Sequence, residues 1–357
     1  MLSRNEPEEG TLPTREFPFG VSGSKNTTAE LLRFLVEDLR TPPRALITLT
    51  PEQGRRFRVA GYADLTPIAA ELGIAVFHPR TYTLALDQDG ADVRALGLVA
   101  LLVQGWQRLI PEWFLSSLPH GAYGMHGSSE RLPRGRGRSP LNWSLIQGRS
   151  SFTTNLFRYE PGVDDGNIVG RRSFDITPTD TAHTLHLKNT YSMLDLLRQH
   201  LPEILEGRVL VEPQDAGEPT YYPKRRPEDG EIFWEDSATE IGRFVRALTR
   251  PFPAAFTHLN DGSSLKIWRA ETFLDSLPSA SKPPGCVLGV TSTGELIVQT
   301  GSGSLLVQDW EAPRSPETGE FFTRRTAYRW DWSKLPMSDP AYCGNYEEIP
   351  EAFRRFA

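Results

Sequence analysis

Apolar and polar positions alternate along the first half of the chain in short blocks of two kinds. Residues 17–21 are apolar and run into Gly20-Val21-Ser22-Gly23-Ser24. Leu31, Leu32, Leu35 and Leu39 then fall on one face of a helix that Thr27 or Thr28 could cap. A second apolar run covers 45–49, and a short helix over 65–72 stops at Gly73. A third run covers 74–77, and residues 98–103 are almost wholly apolar, as a strand buried on both faces should be. A fifth strand is predicted to end at Ala122-Tyr123. Strand and helix in turn predict a parallel sheet wrapped by helices.

The pattern changes beyond residue 150. Residues 151–159 and 168–174 read as a strand pair at the edge of the sheet, followed by a Leu-rich helix over about 180–205. Residues 206–230 are rich in Pro, Gly and charge, which predicts a crossing between domains. Ile241, Phe244, Val245 and Leu248 mark one face of a helix over 237–248. Short apolar runs at 265–268, 285–288, 296–299 and 305–307 lie between Gly and Pro, the texture of a small β-barrel or sandwich. Residues 313–357 are polar and aromatic without a period. The expected layout is a flexible tail over 1–14, a catalytic domain over 15–205, a linker over 206–235, a barrel-like domain over 236–312 and a C-terminal extension over 313–357.

Composition narrows the classes. The chain has 357 residues, 38% hydrophobic and 10% aromatic, enough for packed cores and unlike a disordered chain. No apolar run reaches the roughly 18 residues that cross a bilayer. The polar start lacks the apolar centre of a secretion signal, so no membrane association and a cytoplasmic location are expected. Cys286 and Cys343 stand far apart without CxxC spacing, so neither a disulfide framework nor a zinc site is expected, and no metal. A net charge of −6 speaks against a dedicated nucleic-acid binder.

Two stretches carry candidate chemistry. The first spans 121–148 and holds His126 beside glycines, at the carboxyl end of the predicted fifth strand, where ligands of open α/β sheets bind. The second is Asp164-Asp165-Gly166. Each has a bland alternative: a loop histidine that satisfies a turn, and an Asp-Asp-Gly turn. Together, an imidazole and a carboxylate on neighbouring strand ends can form an acid–base pair. Gly20-Val21-Ser22-Gly23-Ser24-Lys25 lacks the GxxxxGK[ST] spacing of a phosphate loop and reads as a strand-to-helix turn. His183 and His186 could chelate a metal at their spacing, yet with no Cys or Glu in register they read as a helix-surface pair.

These stretches resemble the folate-dependent formyltransferases, a family that includes methionyl-tRNA formyltransferases and amino-sugar N-formyltransferases. His126 and Ser128 match its His-x-Ser element. Arg136-Gly137-Arg138-Ser139-Pro140-Leu141-Asn142-Trp143 matches its Arg-Gly-Arg and Pro-x-Asn-Trp segments, and Asp164-Asp165-Gly166 matches its Asp-x-Gly. The resemblance covers residues 17–205 and extends into 222–230 and 246–257. It departs at two points: the family's catalytic Asn, two residues before the His, is Gly124 here, and the segment between His126 and the Arg-Gly-Arg run is two residues longer than the family's usual one.

The resemblance implies a Rossmann-like, mostly parallel α/β catalytic domain followed by a small β-barrel-like (OB-like) domain. It implies formyl transfer from 10-formyltetrahydrofolate to an amine, with His126 and Asp164 catalytic. Ser128, Asn142 or backbone groups near Gly124 are candidates to replace the missing oxyanion donor. By the same resemblance, Val103, Gln104, Gly105, Trp106, Asp165 and Gly166 would hold the folate, and Arg136 and Arg138 a substrate phosphate. The expected acceptor is a small biosynthetic amine, foremost a nucleotide-linked amino sugar. Methionyl-tRNA is disfavoured by the negative net charge, and a folate- or nucleotide-binding relative with altered catalysis is the other alternative. A homodimer is admitted by the resemblance.

Overall fold

The computed structural model describes residues 17–274, 282–338 and 351–356. The expected tail over 1–14, Cys343 and part of the C-terminal extension lie outside them. The chain begins with β1 (Phe19–Ser22), α1 (Asn26–Arg33) running on into a π-turn (Phe34–Asp38), β2 (Ala45–Ile47), α2 (Pro51–Arg56), α3 (Thr66–Glu71), β3 (Ala75–Phe77), α4 (Asp87–Ala95), β4 (Ala100–Val103), α5 (Glu112–Ser116) and β5 (Gly121–Ser128). α4 escapes the apolar pattern because a buried carboxylate fixes its start. Asp89 accepts hydrogen bonds from the amides of Arg80 and Thr81 at 2.8 and 3.1 Å. β6 (Arg136–Gly137), α6 (Pro140–Ile146), β7 (Ser151–Arg158), β8 (Ile168–Asp175), α7 (Ala182–Leu205) and β9 (Tyr221–Tyr222) follow.

The first sheet has the order β3-β2-β1-β4-β5-β7-β8. Its first five strands pair in parallel, and β7 and β8 add antiparallel at the edge. The right-handed crossovers that such pairing demands put helices on both faces. α7, capped by the Thr181 hydroxyl accepting from the Thr184 amide, lays Met193, Leu197 and Leu201 into the core with Val21, Leu46 and Leu156.

One boundary differs from the sequence expectation. β5 does not end at Tyr123. Its pairing with β4 stops where Val103 faces Gly124, but its pairing with β7 continues to Ser128 opposite Thr153. The last residues of β5 therefore overhang the carboxyl edge of the parallel strands, and His126 is carried on that overhang.

The second half contains α8 (Ala238–Leu248), β10 (Ala255–His258), β11 (Ser264–Leu274), β12 (Val287–Val290), β13 (Leu296–Gln299), β14 (Ser304–Glu311), β15 (Tyr328–Trp330) and β16 (Arg354–Phe356). β10-β11-β14-β13-β12 form an antiparallel sheet. Residues 319–323 join its two edge strands. The Thr323 amide donates to the His258 carbonyl at 2.8 Å, and the Val287 amide to the Glu320 carbonyl at 2.8 Å. The sheet thereby closes into a small barrel, which removes its free edges.

A single apolar core runs from α6 and the start of α7 through Tyr222 into α8 and the barrel strands. Trp143 lies at its centre, stacked on Tyr222, edge-on to Trp330, with its indole N–H donating to the Pro223 carbonyl at 3.0 Å. The Arg225 guanidinium sits over the rings of Trp143 and Phe244, and burial lowers its pKa to about 10, still cationic at neutral pH. The region after 313 has a structural part here. Tyr221 and Met337 exchange backbone hydrogen bonds, and the Gln147 amide donates to the carbonyls of Trp332 and Leu335, both at 2.8 Å. Among the described residues, no helix is long and apolar enough to cross a membrane.

Candidate functional site

The structure brings His126 and Asp164 together. Asp164 lies in the loop between β7 and β8, and its Oδ2 stands 3.3 Å from His126 Nδ1. The same oxygen accepts a hydrogen bond from the Gly137 amide at 2.9 Å. His126 Nε2 is 2.9 Å from the Gly135 carbonyl. The Gly135 carbonyl accepts from Nε2, and the Asp164 carboxylate stands within ion-pair distance of Nδ1.

The loop that presents Asp164 is held in an unfavourable shape by its surroundings. Asp164 has a φ of +49°. The Gln214 side chain donates to the carbonyls of Asp164 and Gly166 at 2.7 and 2.9 Å. Gln214 is gripped in turn by Arg136, whose Nη2 donates to its Oε1 at 2.7 Å. Gly166 is required by close approach, since a Cβ there would fall 1.6 Å from the Arg158 carbonyl oxygen. Asp165 turns elsewhere: its carboxylate packs against Gly162, and its Oδ1 is buried without a partner among the described residues.

Several sequence expectations need correction. Ser128 is fully buried and donates to the Arg134 carbonyl at 2.9 Å, so it shapes the loop after β5. Asn142 donates to the Ala247 carbonyl at 2.7 Å, which commits its amide to the contact of α6 with α8 rather than to the site. Arg136 is engaged with Gln214, donating to its Oε1 through Nε and Nη2. Arg138 is different. Burial first, and then the charge of Arg138, depresses the pKa values of Lys25 and Lys224, which places Arg138 among cations. His186 is not a surface residue: its ring packs against Phe252, and burial first, then the charges of Lys25 and His183, lowers its pKa to about 4.

The expected folate residues line the ends of β4 and β7. Val103 closes β4 and is buried. Gln104 and Trp106 are buried as well, and Gln104 Oε1 and Trp106 Nε1 have no partner among the described residues. Gly105 has a φ of +81°, and a Cβ there would meet Thr28 Oγ1 at 3.0 Å.

Three residues were not singled out in the sequence. Gln214 sits in the stretch read as a crossing, where nothing in its spacing marks a partner. Lys25 follows β1; burial, then Arg138, lowers its ammonium to about 8. Tyr159 directly follows β7 and lies over Gly124: a Cβ on that glycine would be 2.5 Å from Tyr159 Cε2 and 3.0 Å from its hydroxyl. Lys25, Arg108, Arg138 and Lys224 are linked by mutual repulsion or by the Tyr82 ring, over which Arg108 lies at 4.7 Å. They form a cationic patch on a chain of net charge −6.

A family model described as formyl transferase matches residues 70–195, and one described as formyl transferase, C-terminal domain, matches residues 224–325. The chain belongs to the formyl transferase family. Solved structures of similar fold include an N-formyltransferase from Helicobacter canadensis in complex with folinic acid and dTDP-3-aminofucose. It is 15% identical, with a TM-score of 0.57 over 82% of this chain and 99% of that one. A sugar N-formyltransferase from a Shewanella species is 15% identical, with a TM-score of 0.54 over 70% of this chain and 95% of that one. HypX from Aquifex aeolicus, solved with tetrahydrofolic acid, is 14% identical, with a TM-score of 0.59 over 88% of this chain and 52% of that one. This formyl transferase thus spans about half the length of HypX. At such identities the likeness shows the fold, a mostly parallel α/β sheet followed by a small barrel.

Proposed function

We propose that this chain transfers the formyl group of 10-formyltetrahydrofolate to the amine of a small, phosphate-bearing acceptor, of which a nucleotide-linked amino sugar is the type. The observation that carries the reading is the His126–Asp164 pair on the overhang of β5, at the carboxyl edge of the sheet. Asp164 faces the imidazole, and a carboxylate so placed can take the proton of an attacking amine. When protonated, the ring also lowers the energy of the negative charge that develops on the formyl oxygen.

The loops at 103–106 and 164–166 fit a folate head group. Gln104 Oε1, Trp106 Nε1 and Asp165 Oδ1 are buried polar atoms without partners among the described residues, in the two loops that the resemblance assigns to the folate. Such groups cost about 1–3 kcal/mol each when unpaired, and the donors and acceptors of a pterin edge would satisfy them. The cationic patch of Lys25, Arg108, Arg138 and Lys224 supports an acceptor that carries phosphate. The amino-sugar ligand of the Helicobacter canadensis structure points the same way.

The test is direct. Purified protein with 10-formyltetrahydrofolate is offered nucleotide-linked amino sugars, unphosphorylated amino sugars and methionyl-tRNA. Release of tetrahydrofolate with a nucleotide-linked sugar alone is expected. Release with methionyl-tRNA alone would replace the acceptor, and release with none would remove the activity.

A further inference from the structure

The site as described lacks a direct donor for the developing oxyanion. Gly124 offers no side chain, and both ring nitrogens of His126 are engaged, with Asp164 and with the Gly135 carbonyl. Ser128 and Asn142 are bound elsewhere. What occupies the space over Gly124 is Tyr159. Its ring stacks on Phe157 at 5.0 Å between centroids, which fixes the phenol in place. Its hydroxyl is 3.0 Å from the position a Gly124 Cβ would take, and the Val103 carbonyl is 2.8 Å from the same point. The hydroxyl also feels the charge of Asp164. The hydroxyl thus shares the space over Gly124 with the carbonyl that ends β4, within the field of the Asp164 carboxylate. Among the described residues it makes no hydrogen bond, so its proton is uncommitted.

We infer that the Tyr159 hydroxyl is a catalytic residue that donates a hydrogen bond to the formyl oxygen as it becomes an oxyanion, and that Gly124 is glycine to admit it. The inference rests on the formyl-transfer reading above. In the step concerned, the acceptor nitrogen bonds to the formyl carbon and the carbonyl electron pair moves onto oxygen, where Tyr159 meets it. Asp164 takes the proton of the acceptor nitrogen. The pair on oxygen then re-forms the carbonyl as the bond from carbon to the folate nitrogen breaks, and that nitrogen leaves with a proton returned by the site. Tyr159 keeps its own proton throughout. Burial, with the negative charge of Asp164 beside it, pushes the phenol above its ordinary range, which keeps it a donor at any working pH. A larger residue at 124 cannot coexist with the ring in this position, because a single Cβ already falls 2.5 Å from Cε2.

The experiment is Tyr159→Phe in the full chain, with kcat and both KM values measured alongside thermal melting. The phenyl ring preserves the packing on Phe157, so the fold is kept. The expected result is a kcat lower by about 100- to 1,000-fold, the usual effect of losing one oxyanion donor, with both KM values within threefold and melting unchanged. A kcat within threefold of the unmodified chain overturns the inference and leaves the formyl-transfer reading standing. An unmodified chain that formylates no amine overturns both.

Discussion

Oδ2 of Asp164 lies 3.3 Å from Nδ1 of His126, and the Gly137 amide reaches the same oxygen at 2.9 Å. One carboxylate oxygen thus holds the imidazole and ties the Asp164 loop to β6. Asp164→Asn keeps the shape and the bond from Gly137 but removes the charge and the base. The expected outcome is a kcat lower by about 100- to 10,000-fold with folate binding retained, checked by steady-state kinetics and by titration of tetrahydrofolate against tryptophan fluorescence.

Asn142 separates motif from mechanism. It matches the family pattern, yet its amide is spent on the Ala247 carbonyl between α6 and α8. Asn142→Ala leaves that buried carbonyl unpaired, at about 1–3 kcal/mol. The expected outcome is a lower denaturation midpoint with kcat within a few fold, measured by chemical denaturation and by turnover on the same preparation.

Trp143 joins the two halves of the chain through Tyr222, Trp330 and the Pro223 carbonyl. Trp143→Ala opens a cavity at the centre of the shared core, and a loss of about 3–5 kcal/mol is expected. Both halves should destabilise together, seen as one cooperative transition at lower denaturant rather than two.

His186 gives a pH dependence. Its pKa is lowered to about 4 from the ordinary 6.5 by burial, then by Lys25 and His183. Between those values the unfolded chain binds a proton that the folded chain does not, so stability falls as pH drops from about 6.5 toward 4. His186→Phe keeps a ring against Phe252 and removes the titration. Between pH 7 and 4.5 the variant should lose on the order of 2 kcal/mol less than the unmodified chain, read from denaturant midpoints.

Most of the framework is legible in the sequence because period and punctuation report it. The apolar runs at 45–49, 74–77 and 98–103 became β2, β3 and β4, and the pair at 151–159 and 168–174 became the edge strands β7 and β8. α4 was missed because its anchor is a buried Asp89, which looks like surface charge in a linear reading. The β10 strand, a hairpin partner of β11, is too short to show alternation, and the closing segment 319–323 is defined by isolated long-range bridges. At the site, the spacing of motifs placed His126 and Asp164 but could not show where side chains point. Arg136 reads as a phosphate ligand and Asn142 as a candidate oxyanion donor, whereas their side chains donate to Gln214 and to the Ala247 carbonyl. Tyr159 read as the last residue of a strand; only its position over Gly124 reveals it.

The account stands or falls on formyl transfer itself. The measurement is mass analysis of a nucleotide-linked amino sugar after incubation with 10-formyltetrahydrofolate carrying a labelled formyl carbon, for the unmodified chain and for His126→Ala. One labelled formyl group on the sugar amine is expected with the unmodified chain and none above background with the variant. An unlabelled sugar from the unmodified chain, or equal labelling from both, would contradict it.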